Sequence, residues 1–227
     1  MDRAATGVRG LDDVLHGGFP FPSVVLIAGE PGVGKTTLCM QTLFEGARRG
    51  ESGLYITAIS EPVDQIHRYM AGYRFYDRSL VEEGLIKFLD ISSLLLKEEH
   101  EGGGAKAALD FALDFIRKSG ARRVVIDSIT PFSFTFAEPR GYRRFLHELF
   151  IMLKAMETLT LLVAEFSPDE TTNPENYMAD GVVFLYLQKT EVVDIFKPAI
   201  QIRKMKGTEH TKDILRLGFT REGLRIL

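Results

Sequence analysis

Residues 29–37 read GEPGVGKTT and are the most informative segment of this chain for its fold. It contains the spacing G-x-x-x-x-G-K-[ST], which ends at Lys35 and Thr36, and the apolar run VVLIA of residues 24–28 leads straight into it. Glycines let successive backbone N–H groups turn toward an anion, and the helix that follows adds its positive N-terminal end. The pattern therefore predicts a loop that binds the phosphates of a nucleoside triphosphate. The residues expected to form this loop are Glu30, Pro31, Gly32, Val33, Gly34, Lys35, Thr36 and Thr37.

A phosphate-binding loop also needs a positively charged side chain for the phosphates and side-chain oxygen atoms that ligate the metal ion. The Lys35 ammonium is expected to reach the outer phosphates, and the Thr36 hydroxyl is expected to ligate Mg²⁺. Further along, the apolar run of residues 124–126 is followed directly by Asp127. Parallel sheets place their ligands at the carboxyl ends of the strands, and an aspartate there orients the magnesium ion of a P-loop protein. We therefore expect Asp127 to be the second metal-side residue, with ATP and Mg²⁺ as the bound species.

Short apolar runs rich in β-branched residues alternate with amphipathic segments. The runs predict buried strands at residues 24–28, 54–58, 85–89, 124–126 and 159–164. Helical spacing predicts helices at residues 38–49, 63–69, 105–118 and 142–157. This alternation is typical of an α/β fold with a mostly parallel central sheet covered by helices. The later runs at 182–187, 195–204 and 214–219 have no helix between them, so we expect antiparallel strands at the C-terminal edge of the sheet.

Length and composition fit a single domain over residues 1–227, because 45% hydrophobic residues suffice for a sizeable core. The formal net charge of −3 does not favour a protein held on nucleic acid by its overall charge. The N-terminal segment lacks the apolar core of a signal peptide, and no run approaches the roughly 18 apolar residues of a membrane span. We therefore expect a cytoplasmic protein.

Hydrolysis would also need a carboxylate that activates water. Glu61 follows the strand at 54–58 and is the candidate catalytic base. A second interpretation is equally open, because Ser60 has the character of a helix N-cap and an acidic residue at a helix start complements the helix dipole. Glu165, which ends the strand at 159–164, is another candidate to face the γ-phosphate.

With these features the chain resembles the KaiC-like branch of the RecA superfamily ATPases over essentially its whole length. TGVRGLD (residues 6–12) and HGGFP (16–20) are similar to the opening segment of that family, and residues 29–37 are similar to its Walker A loop. RVVIDS (123–128) is similar to its Walker B strand. KMKGTEH (204–210) is similar to its late signature K-[LM]-[RK]-G-[TS]-x-H.

The resemblance implies a RecA-like P-loop ATPase that associates with itself, in the family as a hexameric ring. It also implies that Lys204 and Lys206 act in catalysis, because the two basic residues of the late signature reach the γ-phosphate held by the neighbouring subunit. The chain departs from the family pattern in two places. Relatives often carry a Glu-Glu pair after the second strand, where this chain has Ile59-Ser60, and this difference bears on the rate of hydrolysis. The other departure is that Asn176 and Tyr177 stand where the clock protein has its phosphorylated Ser-Thr pair.

Three functions stay open at this stage: a slow ring ATPase that controls assembly or an unidentified protein partner, an ATP-binding regulatory scaffold, and a DNA-acting RecA relative. The last is disfavoured, because residues 166–179 contain Asp169, Glu170 and Glu175 but no Lys or Arg. The loop at 132–136 alternates aromatic and hydroxyl residues, which predicts half-buried structure or a subunit interface rather than a base-stacking surface.

Overall fold

The computed structural model describes residues 2–59, 61–95, 102–167, 173–189 and 195–227. The described strands are β1 (Asp2–Ala4), β2 (Phe19–Phe21), β3 (Ser23–Gly29), β4 (Gly53–Thr57), β5 (Ile86–Asp90), β6 (Arg123–Asp127), β7 (Leu159–Ala164), β8 (Gly181–Lys189), β9 (Phe196–Met205), β10 (Leu215–Thr220) and β11 (Gly223–Ile226). The described helices are α1 (Leu11–Val14), α2 (Lys35–Arg48), α3 (Val63–Met70), α4 (Arg78–Glu82), α5 (Ser92–Leu95), α6 (Gly103–Ser119), α7 (Thr130–Ser133), α8 (Pro139–Lys154) and α9 (Pro174–Met178).

The central sheet joins nine of these strands in the order β11-β10-β9-β8-β3-β7-β6-β4-β5. β3 pairs in parallel with β7 on one side and with β8 on the other, and β6, β4 and β5 continue the parallel part. Every residue of β3, β4, β6 and β7 is buried, as expected for strands with helices on both faces. The predicted α/β fold with a mostly parallel sheet is confirmed.

The C-terminal edge of the sheet is antiparallel, as predicted, through β9, β10 and β11. β8 differs from the expectation, because it runs parallel to β3 and antiparallel only to β9. The reason is its connection: the chain returns from β7 through α9, so that β8 starts at the same end of the sheet as β3. Only residues 190–195 separate β8 from β9, and a connection that short reverses the strand direction.

Helices cover both faces of the sheet. α2 packs on one face through residues such as Leu38 and Phe44, whereas α6 and α8 pack on the other through residues such as Ala108 and Leu146. Burial of each large apolar side chain contributes about 1.5–3 kcal/mol relative to its exposure. No helix in the described ranges is long and apolar enough to cross a membrane.

The carboxyl ends of the parallel strands meet at one edge of the sheet. Thr57 pairs with Asp127 across β4 and β6, and Ala28 pairs with Ala164 across β3 and β7. This register brings the loop after β3, the end of β6 and Glu165 after β7 to the same place. It is the edge at which open α/β sheets bind their ligands.

Candidate nucleotide-binding site

The loop between β3 and α2 requires glycine at two motif positions. Gly34 directly precedes α2 with φ of 101°, and a Cβ atom built there would lie 2.7 Å from the Phe219 ring. A Cβ atom at Gly29 would collide with the carbonyl oxygen of Leu185 in β8. Both glycines therefore let the loop turn tightly against the neighbouring strands.

Lys35 is held inside this loop. Its Nζ donates to the carbonyl oxygens of Gly29 and Glu30, each at 2.8 Å, and only 6% of the residue is exposed. Burial lowers the pKa of Lys35, and the carboxylates of Glu165 and Asp127 oppose that shift. The Lys35 ammonium therefore lies inside the loop and donates its hydrogen bonds to backbone carbonyl oxygens.

Asp127 faces the loop from the end of β6. Its Oδ2 accepts a hydrogen bond of 2.7 Å from the Thr36 hydroxyl and another of 2.7 Å from the Tyr55 hydroxyl. Burial raises the pKa of Asp127, while these two hydrogen bonds and the Lys35 charge act in the opposite direction. The structure therefore brings together the two residues that the sequence assigned to the metal side, Thr36 and Asp127.

A cavity of about 360 Å³ opens over the loop. Its walls are formed by Pro31, Gly32, Gly34, Lys35, Thr36, Thr37, Ile59, Tyr73, Asp127, Glu165 and Phe219. Six of the predicted loop residues are among them. Of the other two, Glu30 contributes its carbonyl to Lys35, and Val33 is buried in the core. A larger cavity of about 560 Å³ between α3 and α4 contains none of the motif residues.

The two candidate carboxylates for water activation occupy different places. Glu165 lines the cavity over the loop, and its backbone N–H donates to the Thr130 hydroxyl at 3.0 Å. Glu61 lines a neighbouring cavity of about 340 Å³ with Pro62 and Gln65. α3 begins at Val63, so the N-cap that the sequence predicted at Ser60 falls on Pro62 instead, and Glu61 directly precedes this cap. Ser60 itself lies outside the described residues.

Lys204 and Lys206 lie at the opposite end of the sheet from the loop. Lys204 Nζ donates to the carbonyl oxygens of Asn176 and Tyr177 at 3.2 and 3.1 Å. Lys206 Nζ lies 3.0 Å from Asp180 Oδ1, which also accepts from Lys154 at 2.9 Å. Partial burial lowers the pKa of Lys204, and the nearby Lys206 charge adds to that shift. The structure does not bring these lysines to the loop of their own chain.

Sequence reasoning missed three aromatic residues around the site. Tyr73 and Phe219 line the cavity, and Tyr55 donates to Asp127. Tyr73 and Phe219 belong to segments far from the loop in sequence, so no local pattern indicates them. Tyr55 had a signal: a phenol in a strand buried on both faces needs a hydrogen-bond partner, and the neighbouring strand ends in an aspartate.

The donor set of the site fits a magnesium ion bound together with a nucleotide. Mg²⁺ prefers oxygen ligands and is usually held by one or two carboxylates or hydroxyls plus the phosphates of the substrate. Thr36 and Asp127 offer a hydroxyl and a carboxylate next to a buried lysine. A glycine-dependent loop between a buried strand and a helix, faced by a strand-end aspartate, defines the class of P-loop nucleotide-binding proteins.

Comparison with known proteins gives the family within that class. The family model described as "ATPase: KaiC" matches residues 4–227, and the chain belongs to this family of ATP-binding ATPases. It is 32% identical to a UPF0273 protein of Aeropyrum pernix, over 93% of this chain and 88% of that protein. It is also 31% identical to the circadian clock oscillator protein KaiC of Parathermosynechococcus lividus, over 100% of this chain but 42% of that protein.

The fold agrees with that assignment. The crystal structure of a KaiC-like protein from Pyrococcus horikoshii OT3 matches with a TM-score of 0.85 and 28% sequence identity. The match covers 100% of this chain and 99% of the other. The KaiC-like resemblance inferred from the sequence motifs is therefore confirmed.

Proposed function

We propose that this chain binds Mg-ATP at the loop between β3 and α2, hydrolyses it slowly, and uses the bound nucleotide to control self-association or a protein partner. Residues 1–227 act as one cytoplasmic ATPase domain in this proposal. The observation that carries it is the convergence of Lys35, Thr36 and Asp127 on a single cavity, with Thr36 and Asp127 joined at 2.7 Å. Family membership supports the ATPase activity at the coarser level.

Each side chain has a defined task in ATP binding. Lys35 exchanges the carbonyl oxygens of Gly29 and Glu30 for phosphate oxygens, a favourable exchange because the phosphates carry full negative charge. Thr36 and Asp127 would hold Mg²⁺, which, when bound, neutralises charge on the phosphates. The loop N–H groups and the start of α2 complete the anion site.

Water activation is assigned to Glu165 in preference to Glu61. Glu165 shares the cavity with Lys35 and Asp127, and its charge acts on the pKa of both. Glu61 faces the adjoining cavity and stays the second candidate. The proposal of slow hydrolysis rests on Ile59-Ser60, which stand where relatives often carry a Glu-Glu pair after the second strand.

Lys204 and Lys206 are assigned to the nucleotide of an adjacent copy. Met205, between them, pairs with Gly181, and Gly181 lies in register with Val25 near the start of β3. The loop begins four residues further along β3, which is about 13 Å at about 3.3 Å per residue. Lysines at that end serve a nucleotide only if another copy presents its loop there, as in the hexameric ring that the family resemblance implies.

The decisive experiment measures ATP affinity and molar mass in solution for the parent chain and for Lys35→Ala. The parent should bind ATP and change its oligomeric state when ATP and Mg²⁺ are added, whereas Lys35→Ala should do neither. Lys118→Ala, which removes an exposed lysine paired with Asp114 on α6, is the matched control and should behave as the parent. Equal ATP affinity in all three proteins would refute the site.

The scaffold alternative differs in a single measurement. A chain that binds ATP for assembly but hydrolyses little should give stoichiometric binding with no steady phosphate release. Steady release that depends on Lys35 supports the enzyme. The geometry gives no comparable support to a nucleic-acid role, and none is proposed.

A further inference from the structure

Tyr55 places a hydroxyl group inside the buried core beside Asp127. It lies in the middle of β4 with 1% of the residue exposed, and its ring lies 5.6 Å from that of Phe88, centroid to centroid. Its hydroxyl donates to Asp127 Oδ2 at 2.7 Å. A buried hydroxyl left without a partner costs about 1–3 kcal/mol, so the pairing is strongly favoured.

We infer that Tyr55 is a positioning residue for the metal-side carboxylate, holding Asp127 in the orientation that Mg-ATP requires. This inference rests on the proposed function, because it concerns how Asp127 performs its part there. The phenol itself contacts neither the nucleotide nor the cation. It acts only through the aspartate.

The argument starts from the directions of the two hydrogen bonds. Thr36 reaches Asp127 from α2, and Tyr55 reaches it from β4, yet both hydroxyls donate to the same oxygen, Oδ2. One donor leaves a carboxylate free to rotate about its Cβ–Cγ bond, whereas two donors from different elements fix its plane. Within the described part of the chain, both side-chain hydrogen bonds of Asp127 fall on Oδ2, so Oδ1 is free to ligate a cation in the cavity that Asp127 lines.

Thr36 alone is a poor anchor for the carboxylate during binding. Its hydroxyl is also the group expected to ligate Mg²⁺, so its orientation changes when the ion arrives. Tyr55 has no such second task, and its ring is locked by core packing around β4. Partners of this kind, one shell outside a metal, typically change metal affinity or activity by about 10–100-fold when they are removed.

A purely structural explanation predicts a different result, and the chain offers a matched control. Tyr142 in α8 also donates its hydroxyl to a carboxylate at 2.7 Å, that of Glu175 in α9. Tyr142→Phe and Tyr55→Phe therefore remove the same kind of bond, one away from the nucleotide cavity and one beside it. Phenylalanine keeps the ring packing, so both variants should fold.

The experiment titrates Mg²⁺ into each purified protein with a fluorescent ATP analogue and also measures analogue affinity without Mg²⁺ and melting without ligand. For Tyr55→Phe we expect the half-saturating Mg²⁺ concentration to rise by about 10-fold, with unchanged affinity in the absence of Mg²⁺. For Tyr142→Phe we expect the parent Mg²⁺ dependence, even where its melting temperature falls. Equal Mg²⁺ dependence in Tyr55→Phe and the parent would overturn the inference.

Asp127→Asn provides the second arm. If Tyr55 acts through the carboxylate, adding Tyr55→Phe to Asp127→Asn should produce no further rise in the Mg²⁺ requirement. An additive rise would show that the phenol acts elsewhere and would also overturn the inference. A parent chain that binds no analogue at all would instead refute the proposed function, so the two failures are distinguishable.

Discussion

The two ends of the central sheet carry charged groups of very different character. At the loop end, Lys35 and Asp127 are 6% and 4% exposed and are held by short hydrogen bonds. At the other end, Lys206 pairs with Asp180 through a side chain that is 57% exposed, and Lys154 shares the same carboxylate. The loop end is already organised for a ligand, because buried bonds in a low dielectric are strong and are not exchanged with water.

At the lysine end, the exposed ion pairs can be exchanged for other partners. Exposed ion pairs contribute at most about 1 kcal/mol, so Lys206 can leave Asp180 at little cost when a stronger anion is presented. This difference supports the proposal that one end of the chain binds its nucleotide alone, while the other acts only against a second copy.

The largest effect is expected at the loop. Lys35→Ala removes the buried ammonium that we propose binds the phosphates. It should abolish measurable ATP binding, while the unliganded protein keeps a cooperative melting transition. Isothermal titration calorimetry with ATP tests the loss of binding, and thermal melting tests whether the variant stays folded. Undiminished affinity in a folded variant would contradict the statement that this end binds nucleotide on its own.

The next effect concerns the lysine end. Lys204→Ala/Lys206→Ala should still bind ATP but lose about 10³-fold in turnover, because charge on the neighbouring nucleotide is no longer stabilised. Lys154→Ala removes the other lysine that pairs with Asp180 and lies outside the late signature, so this variant should keep parent turnover.

Mixing Lys35→Ala with Lys204→Ala/Lys206→Ala tests whether the lysines act on the nucleotide of their own chain or on that of a neighbouring chain. Lys35→Ala keeps its lysines, and the double variant keeps its loop, so mixed assemblies contain composite sites. Turnover should then exceed the sum of the two proteins assayed apart. Normal turnover by the double variant alone would refute the role of the lysines. The same conclusion would follow if subunit exchange is demonstrated and the mixture shows no turnover above that sum.

Much of the loop end was predictable from the sequence because its determinants are local. The Gly-x-x-x-x-Gly-Lys-Thr spacing and the strand that ends at Asp127 are short patterns with a direct physical meaning. The predicted core strands therefore appear within one residue of their expected bounds. Helix α2 begins at Lys35, three residues before the predicted start at residue 38, because the last residues of the motif, 35–37, form its first turn.

The rest depends on contacts between distant segments, which no local pattern encodes. The parallel pairing of β8 with β3 follows from the path of the chain through α9 and not from the residues of β8. Phe219 reaches Gly34 from β10, and the placement of Glu165 rather than Glu61 on the cavity depends on strand order. The partners of Lys204 are backbone carbonyls, which leave no trace in a sequence.

A smaller effect should distinguish the two carboxylates beside the loop. Glu165→Gln should lower turnover by about 10²-fold with nearly intact ATP binding, the usual contribution of a positioned general base. Glu61→Gln is the matched variant from the adjoining cavity and should change turnover much less. Phosphate release under saturating ATP measures both. A large loss in Glu61→Gln with none in Glu165→Gln would return the role to the residue that the sequence first indicated.

The smallest effect is expected for the ion pairs at the lysine end, and it has a defined pH dependence. Although partial burial acts to raise the pKa of Asp180, hydrogen bonds from Lys154 and Lys206 outweigh it and hold that pKa below the ordinary 3.8. A carboxyl whose pKa is lowered by folding stabilises the protein above its unfolded pKa and loses that contribution as pH falls through its folded pKa. Asp180→Asn should therefore lower the free energy of unfolding at neutral pH by about 1 kcal/mol or less, and the difference should vanish in acid below the ordinary aspartate pKa.

Urea unfolding across that range tests the prediction against Asp114→Asn, whose 2.6 Å pair with Lys118 is more exposed and should contribute less. A loss of several kcal/mol at Asp180 would mean that this end is as rigidly organised as the loop end, and the contrast between the two would not hold.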